Sequence, residues 1–143
     1  MKRTLAALSF VLVAAGVMTA CSPVDGDVEN HVVKTVSEGS TIPVADLAPD
    51  DATRFTVVCP YESAADVAVR LGVATTTLPD LSKRDDAQAL VVVTADGVDS
   101  AEFPRDRVDL CSTEGAWPVY EKTDTATAAV AQKDDVYVVT RDS

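Results

Sequence analysis

The sequence predicts an α+β domain: a mostly antiparallel sheet of four to five strands, one principal helix and one disulfide. Three stretches carry that expectation. Phe55-Thr-Val-Val-Cys59 is β-branched and aromatic, is stopped by Pro60, and leads into a segment with helical marks at both ends. Leu90 to Val93 is a strongly apolar run, followed by Asp96-Gly97, a dipeptide suited to a hairpin turn. Val136 to Thr140 is a further β-branched strand, entered through Lys133-Asp-Asp135.

The N-terminal end belongs to a different problem. Lys2 and Arg3 precede an apolar run from Leu5 to Val17, which Met18-Thr19-Ala20-Cys21 closes with a small residue before a cysteine. The run is short for a spanning helix and a cleavage-type site follows it, the layout of a secretory signal. Met18 to Cys21 resembles the lipobox of bacterial lipoproteins. That resemblance implies that residues 1–20 are a signal peptide and that Cys21 becomes the first mature residue. It also implies that Cys21 carries fatty-acyl chains such as palmitate, holding the chain at the extracytoplasmic face of the bacterial cell membrane. The alternative is an ordinary secretory signal beside an incidental cysteine. Each buried methylene of a lipid adds about 0.8 kcal/mol, so several chains anchor firmly.

Without residues 1–20 the chain keeps 123 residues, enough for one core but not for two. It then has ten basic against twenty-three acidic side chains, a formal charge of −13. Phosphate backbones repel such a chain, which excludes nucleic acid as a partner. Cys59 and Cys111 remain, an even number in an exported chain, and are expected to form a disulfide. The closed loop of about fifty residues constrains the unfolded state by roughly 4 kcal/mol.

Residues 21–40 are expected to be the lipidated N-terminus and a tether, because Ser22 to Asn30 holds Pro23, Gly26 and three acids. His31 to Val36 reads as a strand or extended arm, although Val32, Val33 and Val36 also suit one side of a helical turn. A single domain is expected over residues 41–143. Ile42 to Pro49 should be irregular, with Ile42, Val44 and Leu47 as anchoring contacts. After the Arg54–Cys59 strand, Ser63 is a good N-cap with Asp66 three residues on, and Gly72 is the natural terminator. Between them Ala64, Val67, Ala68 and Leu71 share one face. Val73 to Leu81 is a connection, and Ser82 to Asp86 is a charged surface patch or a short helical turn. Val98 and Phe103 differ in parity, which implies a bulge or an early end in the second hairpin strand. Pro104 to Cys111 is a helical turn or an extended edge, Trp117 to Lys122 a strand, and Thr123 to Ala131 a loop.

Cys59-Pro60-Tyr61-Glu62, set between a strand and a helix, resembles the Cys-Pro-Tyr-Cys corner of glutaredoxins. That resemblance implies a thioredoxin-like monothiol redox protein in which the helix N-terminus favours the Cys59 thiolate. Glu62 stands in place of the second cysteine, and no Thr-Val-Pro-like segment precedes the hairpin. A broader resemblance runs from Ile42 through Pro60-Tyr61, Leu71-Gly72, Leu90 to Val93 and Pro104-Arg105 to the final strands. It is to small bacterial lipoprotein domains of unknown function, and it implies a fold without an activity.

His31 is the single histidine and belongs to the tether, so no Ser-His-acid set or imidazole zinc site can be assembled within the domain. Asp50-Asp51, Asp85-Asp86 and Asp134-Asp135 lack the alternating acids and central Gly of a calcium loop and read as acidic turns. Tyr61, Trp117 and Tyr120 are the candidate binding residues, weighed against plain core or corner packing. The expected function is non-enzymatic, with no catalytic residues, metal or cofactor: an anchored envelope lipoprotein in a structural, accessory or binding role. Its partners would be the membrane, through Cys21, and an envelope protein or ligand. The alternatives are the Cys59 redox protein and a secreted inhibitor or ligand-binding module.

Overall fold

The first described element is a helix, α1 (Asp25–Ser37), where the sequence reading places a tether and a strand. The structure is a computed structural model that describes residues 25–141; the signal-like segment and Cys21 lie outside the described residues. Val28, Val32 and Val36 recur at i+4 spacing along α1, and Val32 and Val36 are completely buried. Valine is a modest helix former, so burial of this ladder, more than propensity, holds the helix. Helix α1 thus shares one core with the residues from 41 onward. His31 Nε2 and the Thr35 hydroxyl both meet the Asp46 carbonyl, at 3.0 and 3.3 Å, tying α1 to the chain that follows.

The chain then forms β1 (Thr41–Pro43) and a 3-10 turn over Val44–Leu47, with Ile42, Val44 and Leu47 buried as anchors. Lys122 Nζ donates to the carbonyls of Ala45 and Ala48 at 2.9 and 2.6 Å, a cation satisfying acceptors at the turn's C-terminal end. β2 (Arg54–Val58) leads through the Pro60 corner to α2 (Ala64–Leu71). β3 (Ala87–Thr94) and β4 (Gly97–Pro104) form a hairpin, followed by the short β5 (Val108–Asp109) and β6 (Tyr120–Glu121). β7 (Thr127–Lys133) and β8 (Val136–Arg141) complete the order.

These strands make two four-stranded sheets, β4-β3-β2-β6 and β1-β7-β8-β5, in which every pairing is antiparallel except β5 with β8. The fold is α+β, with two sheets where the sequence suggests one. Alternation explains why the first is so apolar. Phe55 and Val57 of β2 stand opposite Val92 and Leu90 of β3 and, with Phe103, enter the main core with Ile42, Val108, Ala128 and Val139 of the other sheet. Val58 pairs with Ala89, and Thr56 with Val91, on the reverse face, where Val67 and Leu71 of α2 and Leu81 cover them. Both faces of β2 and β3 are thus dry, the condition under which strands read as continuous apolar runs.

The same double burial resolves the parity of Val98 and Phe103. The β3–β4 register runs unbroken from Ala87↔Pro104 to Thr94↔Gly97, without the anticipated bulge. Phe103 enters the main core while Val98 packs on the α2 side. Thr123 to Ala131 is corrected from a loop to the approach and most of β7. Its alanines carry little strand signal; pairing with β8 and β1 makes the strand. The β7–β8 loop is Asp134-Asp135, both at positive φ (50° and 67°), the requirement of a two-residue type I′ turn. The Trp117–Lys122 strand shrinks to Tyr120–Glu121 because Trp117 turns inward.

Gln88 links the two sheets. Its side chain is fully buried, yet Nε2 donates to the carbonyls of Val108 (2.6 Å) and Pro104 (3.3 Å) and Oε1 accepts from the Leu110 amide (2.9 Å). It supplies the partners that the short β5 segment lacks on that side. Gln88→Leu keeps the volume and strands a buried amide and carbonyl, so it is expected to cost about 3 kcal/mol in urea unfolding. A loss under about 1 kcal/mol would show that water replaces the amide.

Candidate functional site

The corner after β2 was the sharpest chemical candidate, and its geometry is that of a joint. Cys59 is bridged to Cys111, 52 positions apart in sequence, with their Cα atoms 5.6 Å apart. The bond pins the end of β2 to the chain just beyond β5. Cys59 therefore offers no free thiol at the start of α2. Glu62, in place of a second cysteine, turns its carboxylate back: Oε2 accepts from the Cys59 amide at 2.7 Å and Oε1 pairs with Arg70 of α2. Ser63 caps α2, its hydroxyl accepting from the Asp66 amide at 3.2 Å, and Gly72 ends the helix at φ 66°.

The Cys59 carbonyl accepts from the Glu62 amide (3.2 Å), with Pro60 and Tyr61 in the middle of the turn. Tyr61 has φ 71°, the positive value that position i+2 of a type II turn demands and that Gly or Asn usually meets. Its amide is committed to Leu81, whose own amide returns to Glu62. This reciprocal pair fixes the loop before β3 against the corner and leaves the Tyr61 ring 68% exposed.

The other two candidate binding residues are placed together, Trp117 inside and Tyr120 half-buried beside it. Trp117 is completely buried, and its Nε1 donates to the Leu110 carbonyl at 2.8 Å. Tyr120 meets the Trp117 ring edge-on at 6.0 Å and stacks on Phe55 at 5.8 Å, and the Arg141 guanidinium lies 5.0 Å over the indole. Trp117 is a core anchor. Tyr61 takes no part in this aromatic cluster among the described contacts.

The concave site lies elsewhere, where α1 crosses the hairpin end of the first sheet. A cavity of about 550 Å³ opens there, within the range of small-molecule sites. Leu90 and Val92 of β3 and Ala101 of β4 form its floor, with Val28 of α1 and Pro49 as apolar walls. Asp27, Asp51 and Asp99 stand on its rim, joined by His31. No Lys or Arg lines it, and among the described residues none of these three carboxylates has a salt-bridge partner. Three arginines are engaged elsewhere: Arg105 with Asp109, Arg107 with Glu29, and Arg84 with Asp86 and Glu102. The Arg84 hydrogen bond holds the exposed Asp86 carboxyl below its ordinary pKa.

Sequence reasoning missed this cavity because one wall is α1, read as a tether. The signal that could have found it is the Val28, Val32, Val36 ladder, which puts Asp27 and His31 on the flank of the buried stripe. Among the described residues no cluster of three or more His, Cys, Asp and Glu is placed to hold a metal, and no helix is long and apolar enough to cross a membrane. No protein-family model matches the chain, and no curated protein or solved structure matches it.

Replacing Cys59 and Cys111 together with Ser is expected to lower unfolding free energy by about 4 kcal/mol in denaturant titration, and an unchanged midpoint would remove the staple role. Tyr61→Gly trades about 1–2 kcal/mol of left-handed strain against about 0.5–1 kcal/mol of added freedom in the unfolded chain. The expected result in thermal unfolding is a neutral to slightly stabilised protein. A loss above about 1 kcal/mol would mean that the exposed ring contributes packing.

Proposed function

We propose that this chain is an exported, lipid-anchored protein at the extracytoplasmic face of a bacterial membrane, acting through a non-enzymatic binding domain. The observation that carries the reading is the Cys59–Cys111 bridge. Such bonds persist in oxidising compartments and fit the export signal and the Met18-Thr19-Ala20-Cys21 ending. The cavity between α1 and the β3–β4 hairpin supports a binding role, because it combines an apolar floor with a few polar groups at its mouth. The monothiol alternative loses its chemical basis when Cys59 is bridged.

This reading has a geometric consequence. With the lipid on Cys21, only Ser22, Pro23 and Val24 separate the anchor from α1. Fully extended, that link spans at most about 14 Å. The domain then rides close to the headgroups instead of on a long tether, and its acidity opposes adhesion to anionic lipid. Metabolic labelling with an alkyne fatty acid tests the anchor. Wild-type protein is expected to take the label and sediment with membranes, and Cys21→Ser to lose both; labelling that survives Cys21→Ser would sink the proposal.

A further inference from the structure

We infer that the cavity beneath α1 binds a small organic ammonium ion that carries an apolar body. This deepens the binding-module reading and rests on it. Three features of the cavity set the ligand class. At about 550 Å³ it is far larger than a metal ion needs and suits a molecule of small-ligand size. Its floor, Leu90, Val92 and Ala101, offers no hydrogen-bonding side chain and favours a hydrocarbon or ring. Its rim supplies Asp27, Asp51 and Asp99 with no Lys or Arg beside them.

The arrangement excludes the other ligand signs. An anion entering the cavity meets three carboxylates and no cation, and a neutral apolar molecule gains the floor but nothing from the rim. An ammonium head with an apolar tail uses both halves: the tail packs against Val28, Pro49 and the buried floor while the head stays near the carboxylates and partly in solvent. His31 does not compete for that role, since its Nε2 is held at the Asp46 carbonyl at 3.0 Å. The three carboxylates come from α1, the approach to β2 and the β4 edge, so the rim exists only when α1 is docked. Binding at the rim is thereby linked to the element that leads towards Cys21.

The test uses the chain from residue 21 onward with Cys21→Ser, which takes no lipid and needs no competing detergent. Octylammonium, 1-octanol and octanoate share one tail and differ only in the head, so isothermal titration with the three reads the rim directly. Octylammonium is expected to saturate one site at least tenfold more tightly than either of the others, with affinity falling as salt rises. The double variant Asp51→Asn/Asp99→Asn, changed at two exposed positions, is expected to weaken octylammonium at least fivefold while leaving the melting temperature and any octanol binding unaltered. Equal affinity for octylammonium and octanol, no saturable binding, or an unaffected double variant would each overturn the assignment. Phosphatidylcholine vesicles with or without a cationic dialkylammonium lipid separate the sources: displacement of octylammonium by the cationic vesicles alone assigns a membrane amphiphile, and its retention assigns a soluble amine. Failure of the titration with fatty-acid labelling intact removes the pocket assignment alone, whereas loss of labelling leaves the titration standing and removes the anchor.

Discussion

Burial of β2 and β3 on both faces is the constraint to which the other elements answer. A strand pair with Phe55, Val57, Leu90 and Val92 on one side and Val58, Ala89 and Val91 on the other cannot leave either side wet. The second face is closed locally, by α2 and Leu81, within a few residues of the Pro60 corner. The first face is larger and is closed by the rest of the chain: α1, the 3-10 turn, the second sheet and Trp117. The second sheet is therefore a lid on the first. Its β7 is a weakly apolar strand, Thr-Ala-Ala-Val-Ala-Gln-Lys, in which only Ala128 is fully buried.

A lid assembled from distant segments needs cross-links, and polar groups supply several. Gln88 of the first sheet satisfies Val108 and Leu110 around β5 of the second. Lys122, just after β6, holds the 3-10 turn that follows β1. Thr56 on β2 donates within reach of the Trp117 and Pro118 carbonyls, at 3.2 and 3.1 Å. Cys59–Cys111 adds the covalent member of the set, joining β2 to the chain beyond β5. Small domains bury a limited fraction of their surface, and a covalent cross-link compensates by constraining the unfolded chain. A strand-corner-helix motif that resembles a redox site thus serves as a fastening point.

How much of this was legible follows from where the signal was local. Ser63, Asp66 and Gly72 mark α2 because a cap and a left-handed terminator act within one helical turn, and both ends match the structure. The β3–β4 hairpin was legible for the same reason, although Gly97 rather than Asp96 takes the positive φ and opens β4. β7 was not legible, since Ala128 and Ala129 become strand only through partners far along the chain, and β5 was legible only as the extended-edge alternative for Pro104 to Cys111. α1 was obscured by composition. Gly26, three acids and β-branched Val32, Val33 and Val36 outweighed a faint ladder whose meaning depends on the core it enters. The candidate binding aromatics were chosen by residue type, and type does not say which way a ring turns: Trp117 is sealed in the core and Tyr61 stands in solvent.

The placement of α1 alters the meaning of the cavity it helps to form. Had residues 25–37 been a loose arm, Asp27 and His31 would belong to no site and the floor of Leu90, Val92 and Ala101 would be an open edge of the sheet. Docked, the helix converts that edge into a walled space and brings a carboxylate of its own to the rim. It is held by two different forces: apolar burial of Val32 and Val36, and contacts from Arg107 to Asn30 and Glu29 near its middle, at 3.0 and 3.3 Å. Apolar contact area is thinnest towards Asp25, where Gly26 and Asp27 are exposed and Val28 is only half-buried. An occupant touching Val28 and Asp27 would therefore add contacts to the part of the helix that has fewest. Ligand binding and docking of α1 would then be coupled, each strengthening the other by the same coupling free energy.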